Sequence, residues 1–119
     1  MLLRQSVTQS YPTHLAIADR GCNIIAPVSD IDRIEAQGNY QALHTKGGLH
    51  LYRVTSAEME ARLDPAHFVR LHRSCLVSLK EIERIEPISR GDGLVILRDG
   101  AKLRQAQQYR AALRERLQR

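Results

Sequence analysis

Arg70, His72, Arg73 and Ser74 stand within five consecutive positions and offer two guanidinium groups, an imidazole and a hydroxyl at one point of the chain. An arginine fork grips two phosphate oxygens or the edge of a guanine, and a serine hydroxyl suits a backbone phosphate, so this run is chemically suited to binding a polyanion. Arg73 reads first as a contact residue. His72, between Leu71 and a small hydroxyl neighbourhood, reads first as core packing or bracing of the loop. Catalysis has little support. The sequence holds no GxSxG elbow, no GxxxxGK(S/T) loop, no HExxH and no cysteine in a recognisable nucleophile context, so the chain is expected not to be an enzyme.

Metal and redox chemistry are equally poorly provided for. His67 and His72 lie five residues apart across a strand and point to opposite faces, while His44 and His50 straddle the Lys46-Gly47-Gly48 turn and could face one another. Surface imidazoles on a hairpin are the preferred reading of that pair, and no metal or cofactor is expected. Cys22 and Cys75 lack CxxC spacing or a cysteine neighbour, which excludes a zinc ribbon or redox pair and leaves both as small apolar fillers.

The charge is informative in its distribution. The 119 residues carry 18 Lys and Arg against 13 Asp and Glu, a net charge of +5. All of that excess falls in Arg98–Arg119, where Arg98, Lys102, Arg104, Arg110, Arg114, Arg116 and Arg119 face only Asp99 and Glu115. A local positive field of this kind attracts nucleic acid. The preference for Arg over Lys points the same way, although arginines on the closing helix also serve simply to keep its outer face in water. A single-strand RNA reader is disfavoured, because the chain has one Phe, four Tyr and no Trp from which to build stacking platforms.

The elements that must position these residues follow from periodicity. Length and composition suit one globular domain, with residues 1–12 as a flexible lead-in and the domain over 13–119. Short alternating apolar runs predict a hairpin from His14–Ala18 and Asn23–Val28, then strands at Ile31–Ala36, Tyr40–Thr45 and Leu49–Val54 joined by Gly-containing turns. Thr55-Ser56-Ala57-Glu58 is a capping box, which predicts a helix of about two and a half turns ending before Asp64-Pro65. Further strands are predicted at Phe68–His72, Cys75–Leu79, Ile82–Glu86, Leu94–Leu97 and Ala101–Leu103, and Gln105–Gln118 should form an amphipathic helix burying Ala106, Tyr109, Leu113 and Leu117. The result is a mainly antiparallel β domain with one short internal and one C-terminal helix. No internal repeat is visible, and neither a signal peptide nor a membrane span can be read, so a cytoplasmic location is expected.

Phe68-Val69-Arg70-Leu71-His72-Arg73-Ser74-Cys75-Leu76-Val77-Ser78-Leu79, with Ile82 and Ile85 following, resembles the F-x-R-x-H-R-S-x-L-V-N-L-x-x-I-x-x-I signature of LytTR-type DNA-binding domains, the output modules of many bacterial response regulators. Asp30–Tyr40 is similar to the family's D-x-I-x-x-I-E-A-x-x-x-Y opening, and Thr55–Leu63 falls where the family has its helix. The resemblance implies an elongated, mostly β domain that lies along a duplex and sends loops, rather than a recognition helix, into successive major grooves. It implies contacts from Asn39 and Gln41 on a first loop, from Arg73 and Ser74 on a second, to which the chemistry of Arg70 adds charge for phosphate, and from Gln107, or Arg104 in its place, on a third.

At the third loop Gln105-Ala106-Gln107 replaces the V-S-R run common in the family, which removes a charged base contact and motivates an alternative reading, a protein-interaction module that kept the fold and lost DNA binding. Ser78 also stands where Asn is common. The family further implies transcriptional regulation, occupancy of paired direct repeats by two protomers, and a separate receiver or sensor partner. The opening Met1 favours a standalone regulator.

Overall fold

The computed structural model describes residues 10–118. Ten strands and two helices follow one another as β1 (His14–Asp19), β2 (Cys22–Pro27), β3 (Ile31–Gln37), β4 (Tyr40–Thr45), β5 (Gly48–Tyr52), α1 (Ser56–Ala61), β6 (Phe68–His72), β7 (Cys75–Ser78), β8 (Ile82–Pro87), β9 (Gly93–Leu97), β10 (Lys102–Gln105) and α2 (Arg110–Leu117). All pairing is antiparallel. The central sheet has five strands in the order β5-β4-β3-β7-β6, flanked by the β1–β2 hairpin and by a β8–β9–β10 meander.

Each face of the central sheet has its own core. On one side β1, β2, α1 and the turn that follows it bring Leu15, Ile17, Ala26, Met59 and Leu63 onto Ile31, Ile34, Leu43, Phe68 and Leu76. On the other side the meander and α2 bring Ile82, Val95, Leu97, Leu103 and Leu113 onto Val69, Leu71, Cys75 and Val77. Burying both faces turns β7 into a run in which all four residues are buried, as expected of a strand inside a sandwich rather than at its surface.

Two strands carry an apolar spacing that no regular strand permits. Ile31 and Ile34 are three apart yet belong to one core, because the β3–β4 register shifts between Ile31 and Arg33 and Asp32 is the extra residue. The same shift between Ile82 and Arg84 in β8 turns Ile82 and Ile85 to one side. A β-bulge restores the inward direction after an odd step. Each of these two strands is entered through a single 3₁₀ turn, Val28–Asp30 or Leu79–Glu81, and leads into a hairpin. The five-residue pattern Ile-Asp/Glu-Arg-Ile-Glu therefore occurs twice in one structural setting, a short internal repeat that sequence reading alone passes over.

Both helices are shorter than their sequences predict. α1 has the expected capping box: Glu58 N–H donates to Thr55 Oγ1 at 3.0 Å, and Thr55 N–H donates to Glu58 Oε1 at 3.1 Å. The Thr55 N–H first, and then the Thr55 side chain, hold the Glu58 carboxyl below its usual range. The helix stops at Ala61 because Arg62 and Leu63 N–H groups turn to Met59 and Glu60 carbonyls in 3₁₀ fashion, ahead of the backbone restriction imposed by Pro65. Thr55→Ala is expected to cost about 1 kcal/mol by removing the cap, read as a lower urea midpoint with unchanged slope. An unchanged midpoint would show that tertiary packing alone sets the start of α1.

The closing helix begins at Arg110, not at Gln105, because Gln105 completes β10 and Gln107–Tyr109 form a 3₁₀ turn. Of its expected apolar stripe only Leu113 is fully buried; Ala106 and Tyr109 are half-buried and Leu117 is exposed. Cys22 corrects another expectation: it is exposed, its thiol donating to Asp19 O, whereas Cys75 is buried and burial pushes its thiol up to about 12. His44 pairs with Leu49 and His50 with Leu43 in adjacent positions of the β4–β5 ladder, so the two imidazoles occupy opposite faces. Part of the expected lead-in, residues 1–9, lies outside the described residues.

Candidate nucleic-acid interface

Three turns that are far apart in sequence lie side by side at one end of the central sheet. The β3–β7 ladder ends with Glu35 opposite Cys75 and is extended by Ala36 N–H donating to Ser74 O at 2.9 Å. This sets the Gly38-Asn39 turn of β3–β4 beside the Arg73-Ser74 turn of β6–β7. On the other side Ala106 N–H donates to Leu71 O at 2.8 Å, which brings the β10–α2 junction alongside. Asn39, Arg73, Arg104 and Gln107 are all exposed at these places, and Ser74 is half-buried.

The middle turn is braced from beneath. Arg70, with a side chain only 16% exposed, donates through Nη1 to Arg73 O at 2.8 Å and His72 O at 3.3 Å and pairs through Nη2 with Glu60 Oε1 at 2.7 Å. Its guanidinium is consumed by α1 and by the turn's own carbonyls. Ser74 N–H donates to His72 Nδ1 at 3.2 Å, which requires a neutral ring with its proton on Nε2. With both anchors in place the Arg73 guanidinium is left without a hydrogen bond or ion pair among the described residues.

Burial above all, aided by Arg70, Arg104 and Arg73 and opposed by Glu35, holds His72 below its ordinary value near 6.5. A histidine depressed in the folded state stabilises the fold above its unfolded pKa, and that contribution is lost as pH falls through the folded value. Wild type is therefore expected to lose stability more steeply below about pH 6.5 than His72→Asn, whose side-chain oxygen can accept from the same N–H without titrating. Identical pH profiles for the two proteins would remove His72 from the turn's support.

The third loop is built from its own hydrogen bonds. Gln105 is buried, and its amide donates to Gly91 O at 3.1 Å and Ala106 O at 2.7 Å. Gln107 N–H donates to Asp92 Oδ1 at 3.0 Å, and Arg104 pairs closely with Asp92 Oδ2. The Arg104 hydrogen bond, with that from Gln107 N–H, holds the Asp92 carboxyl below its usual range. A Cβ at Gly93 would fall 2.6 Å from Gln105 Oε1, so a larger residue there would have to displace the hydrogen-bonded Gln105 amide. The β8–β9 loop is thus locked to the junction, and it carries exposed Arg90 to the same end of the molecule.

Gln41 differs from the other sequence-derived candidates. It is 5% exposed, and its amide donates to Ser56 Oγ at 3.2 Å and Val54 O at 3.4 Å, tying β4 to the start of α1. Sequence reasoning also passed over Arg53 and Arg90. Arg53 lies 6.0 Å over the ring of Tyr40, next to Asn39, and the signal that could have found it was its position beyond β5, opposite the first turn. Of the helix arginines, Arg116 turns inward to Pro65 O. Among the described residues no group of three or more His, Cys, Asp or Glu could hold a metal ion, and no helix is long and apolar enough to cross a membrane.

This end carries exposed Arg73, Arg90 and Arg104 on turns and a strand rather than on a helix, which defines a β module with a basic loop end. The family profile of the LytTr DNA-binding domain matches residues 22–118, and the chain belongs to that family. It is similar to the CO-responsive transcriptional regulator RcoM of Rhodospirillum rubrum, 38% identical over 68 residues covering 57% of this chain and 28% of that protein. It is also similar to the transcriptional regulatory protein YpdB of Escherichia coli K12, 32% identical over 76 residues, 64% of this chain and 31% of that one. The transcriptional regulatory protein LytR of Staphylococcus aureus is 32% identical over 88 residues, 65% of this chain and 36% of its own. The chain thus spans about a third of these relatives. The fold matches the LytTr DNA-binding domain of a putative methyl-accepting/DNA response regulator from Bacillus cereus with a TM-score of 0.80, covering 89% of this chain and 97% of that one at 22% identity.

Proposed function

We propose that this domain reads double-stranded DNA in a sequence-specific way, by placing its three adjacent turns in successive major grooves, and that it regulates transcription in the cytoplasm. The observation that carries the reading is the unpartnered Arg73 guanidinium on a turn fixed by Arg70 and His72. A rigid base under a free fork is what bidentate readout of a guanine needs. Asn39 and Gln107 read bases from the outer turns, while Ser74 and Arg104 lie against the phosphate backbone. Gln41 and Arg70 act from beneath, as braces.

Arg53 and Arg90 add phosphate contacts at the two flanks. Two protomers occupy paired direct repeats, under the control of a receiver or sensor partner. The loss of a V-S-R run at the third loop shifts its preference away from guanine, since glutamine pairs with adenine.

The test is recovery and sequencing of fragments bound from genomic DNA at about 150 mM salt, where non-specific binding is already weakened. Enrichment of a paired motif, lost in Arg73→Ala, supports the reading. A folded wild-type chain that enriches nothing overturns it in favour of a protein-interaction module.

A further inference from the structure

A groove of about 750 Å³ opens at the opposite end of β7 from the Arg73 turn, between the β1–β2 hairpin and the segments that flank β6. Four residues of strand separate the two places, roughly 13 Å, so the groove takes no part in the interface described above. Its size lies within the roughly 300–1,000 Å³ of small-molecule sites. Val28, Phe68 and Leu79 make it mainly apolar.

Two polar groups in this groove have unused capacity. Ser78 is 3% exposed, lines the groove, and its hydroxyl makes no hydrogen bond among the described residues. Its oxygen is not one of the fully enclosed unpaired atoms among the described residues, so it can be reached from the groove. Lys80 is held at the rim by one bond, Nζ to Ser29 O at 2.6 Å, and pairs with no acid among the described residues. An ammonium has three donors to give. The groove's one carboxylate, Asp64, is already engaged by Ala66 N–H at 2.8 Å and lies 3.8 Å from His67. The site therefore lacks an anion and a hydrogen-bonding atom rather than a cation.

We propose that this groove binds a small amphipathic carboxylate, with its apolar body against Val28, Phe68 and Leu79, its carboxylate on Lys80 and a polar atom of the body meeting the Ser78 hydroxyl. A planar hydroxyaryl acid meets these requirements, and 6-hydroxynaphthalene-2-carboxylate is the probe. The controls are its carboxamide, which lacks the charge, and naphthalene-2-carboxylate, which lacks the hydroxyl.

The experiment is titration of the ¹⁵N-labelled full chain, following amide shifts. Saturable shifts confined to the groove are expected, with binding of the carboxamide at least fivefold weaker. Lys80→Ala should abolish the difference between acid and amide, and Ser78→Ala should abolish the advantage of the hydroxyl, each with unshifted resonances in α2 as the check on folding. The proposal is overturned by an absence of saturable shifts at millimolar probe, by equal binding of acid and amide to wild type, or by contacts showing that residues 1–9 already fill the groove in the free chain.

Discussion

Arg73→Ala should weaken binding to the cognate site by about 1–3 kcal/mol, roughly 5- to 150-fold, while leaving the melting temperature close to that of wild type. The side chain is exposed and makes no contact that the fold depends on; what the turn needs from position 73 is its backbone carbonyl, which accepts from Arg70 and survives the substitution. Surface changes away from packing or caps commonly lie within about 0.5 kcal/mol. Arg73→Lys separates fork from charge. Lysine preserves attraction to phosphate but cannot form the bidentate pair, so it should retain non-specific affinity and lose discrimination. Competition binding against the enriched site and a scrambled duplex, repeated across salt, reads both. Should Arg73→Ala instead lower the melting temperature and spare binding, Arg73 would be a residue of the fold.

Much of this arrangement was open to a reader of the sequence, and the parts that were not share one physical cause. The strands announce themselves through alternation and Gly turns, and Thr55 and Glu58 mark the start of α1 in advance because a capping box is local chemistry. The end of β10 was misread because Gln105, Ala106 and Gln107 all have helix-compatible side chains. What keeps Gln105 extended is long-range: its amide reaches Gly91, and the next N–H reaches Leu71. The burial of Gln41 was hidden for the same reason. Its amide is chemically suited to adenine, but β4 is covered at that point by the chain entering α1, and a residue 15 positions away takes the bond. The spacing Ile-x-x-Ile, by contrast, held information that was left unused: in a strand it signals a bulge, and two of them signal a repeated supersecondary unit.

The turn's support can be tested as sharply as its tip. Arg70→Leu is expected to destabilise the fold by about 2–3 kcal/mol, because it strips the His72 and Arg73 carbonyls of a charged donor. The Glu60 partner adds little of this, since its side chain is 53% exposed and exposed ion pairs contribute under about 1 kcal/mol. Glu60→Gln should therefore be mild where Arg70→Leu is severe. DNA binding distinguishes a brace from a contact. If Arg70 acts only through the turn, the folded fraction of Arg70→Leu should bind its site more weakly because Arg73 is no longer held in place, yet the slope of log affinity against log salt should equal that of wild type. If Arg70 itself neutralised a phosphate, the slope would fall by about 0.9. The half-buried guanidinium and its three partners favour the first outcome. A reduced slope with undiminished stability would return Arg70 to the DNA surface, where the sequence alone had placed it.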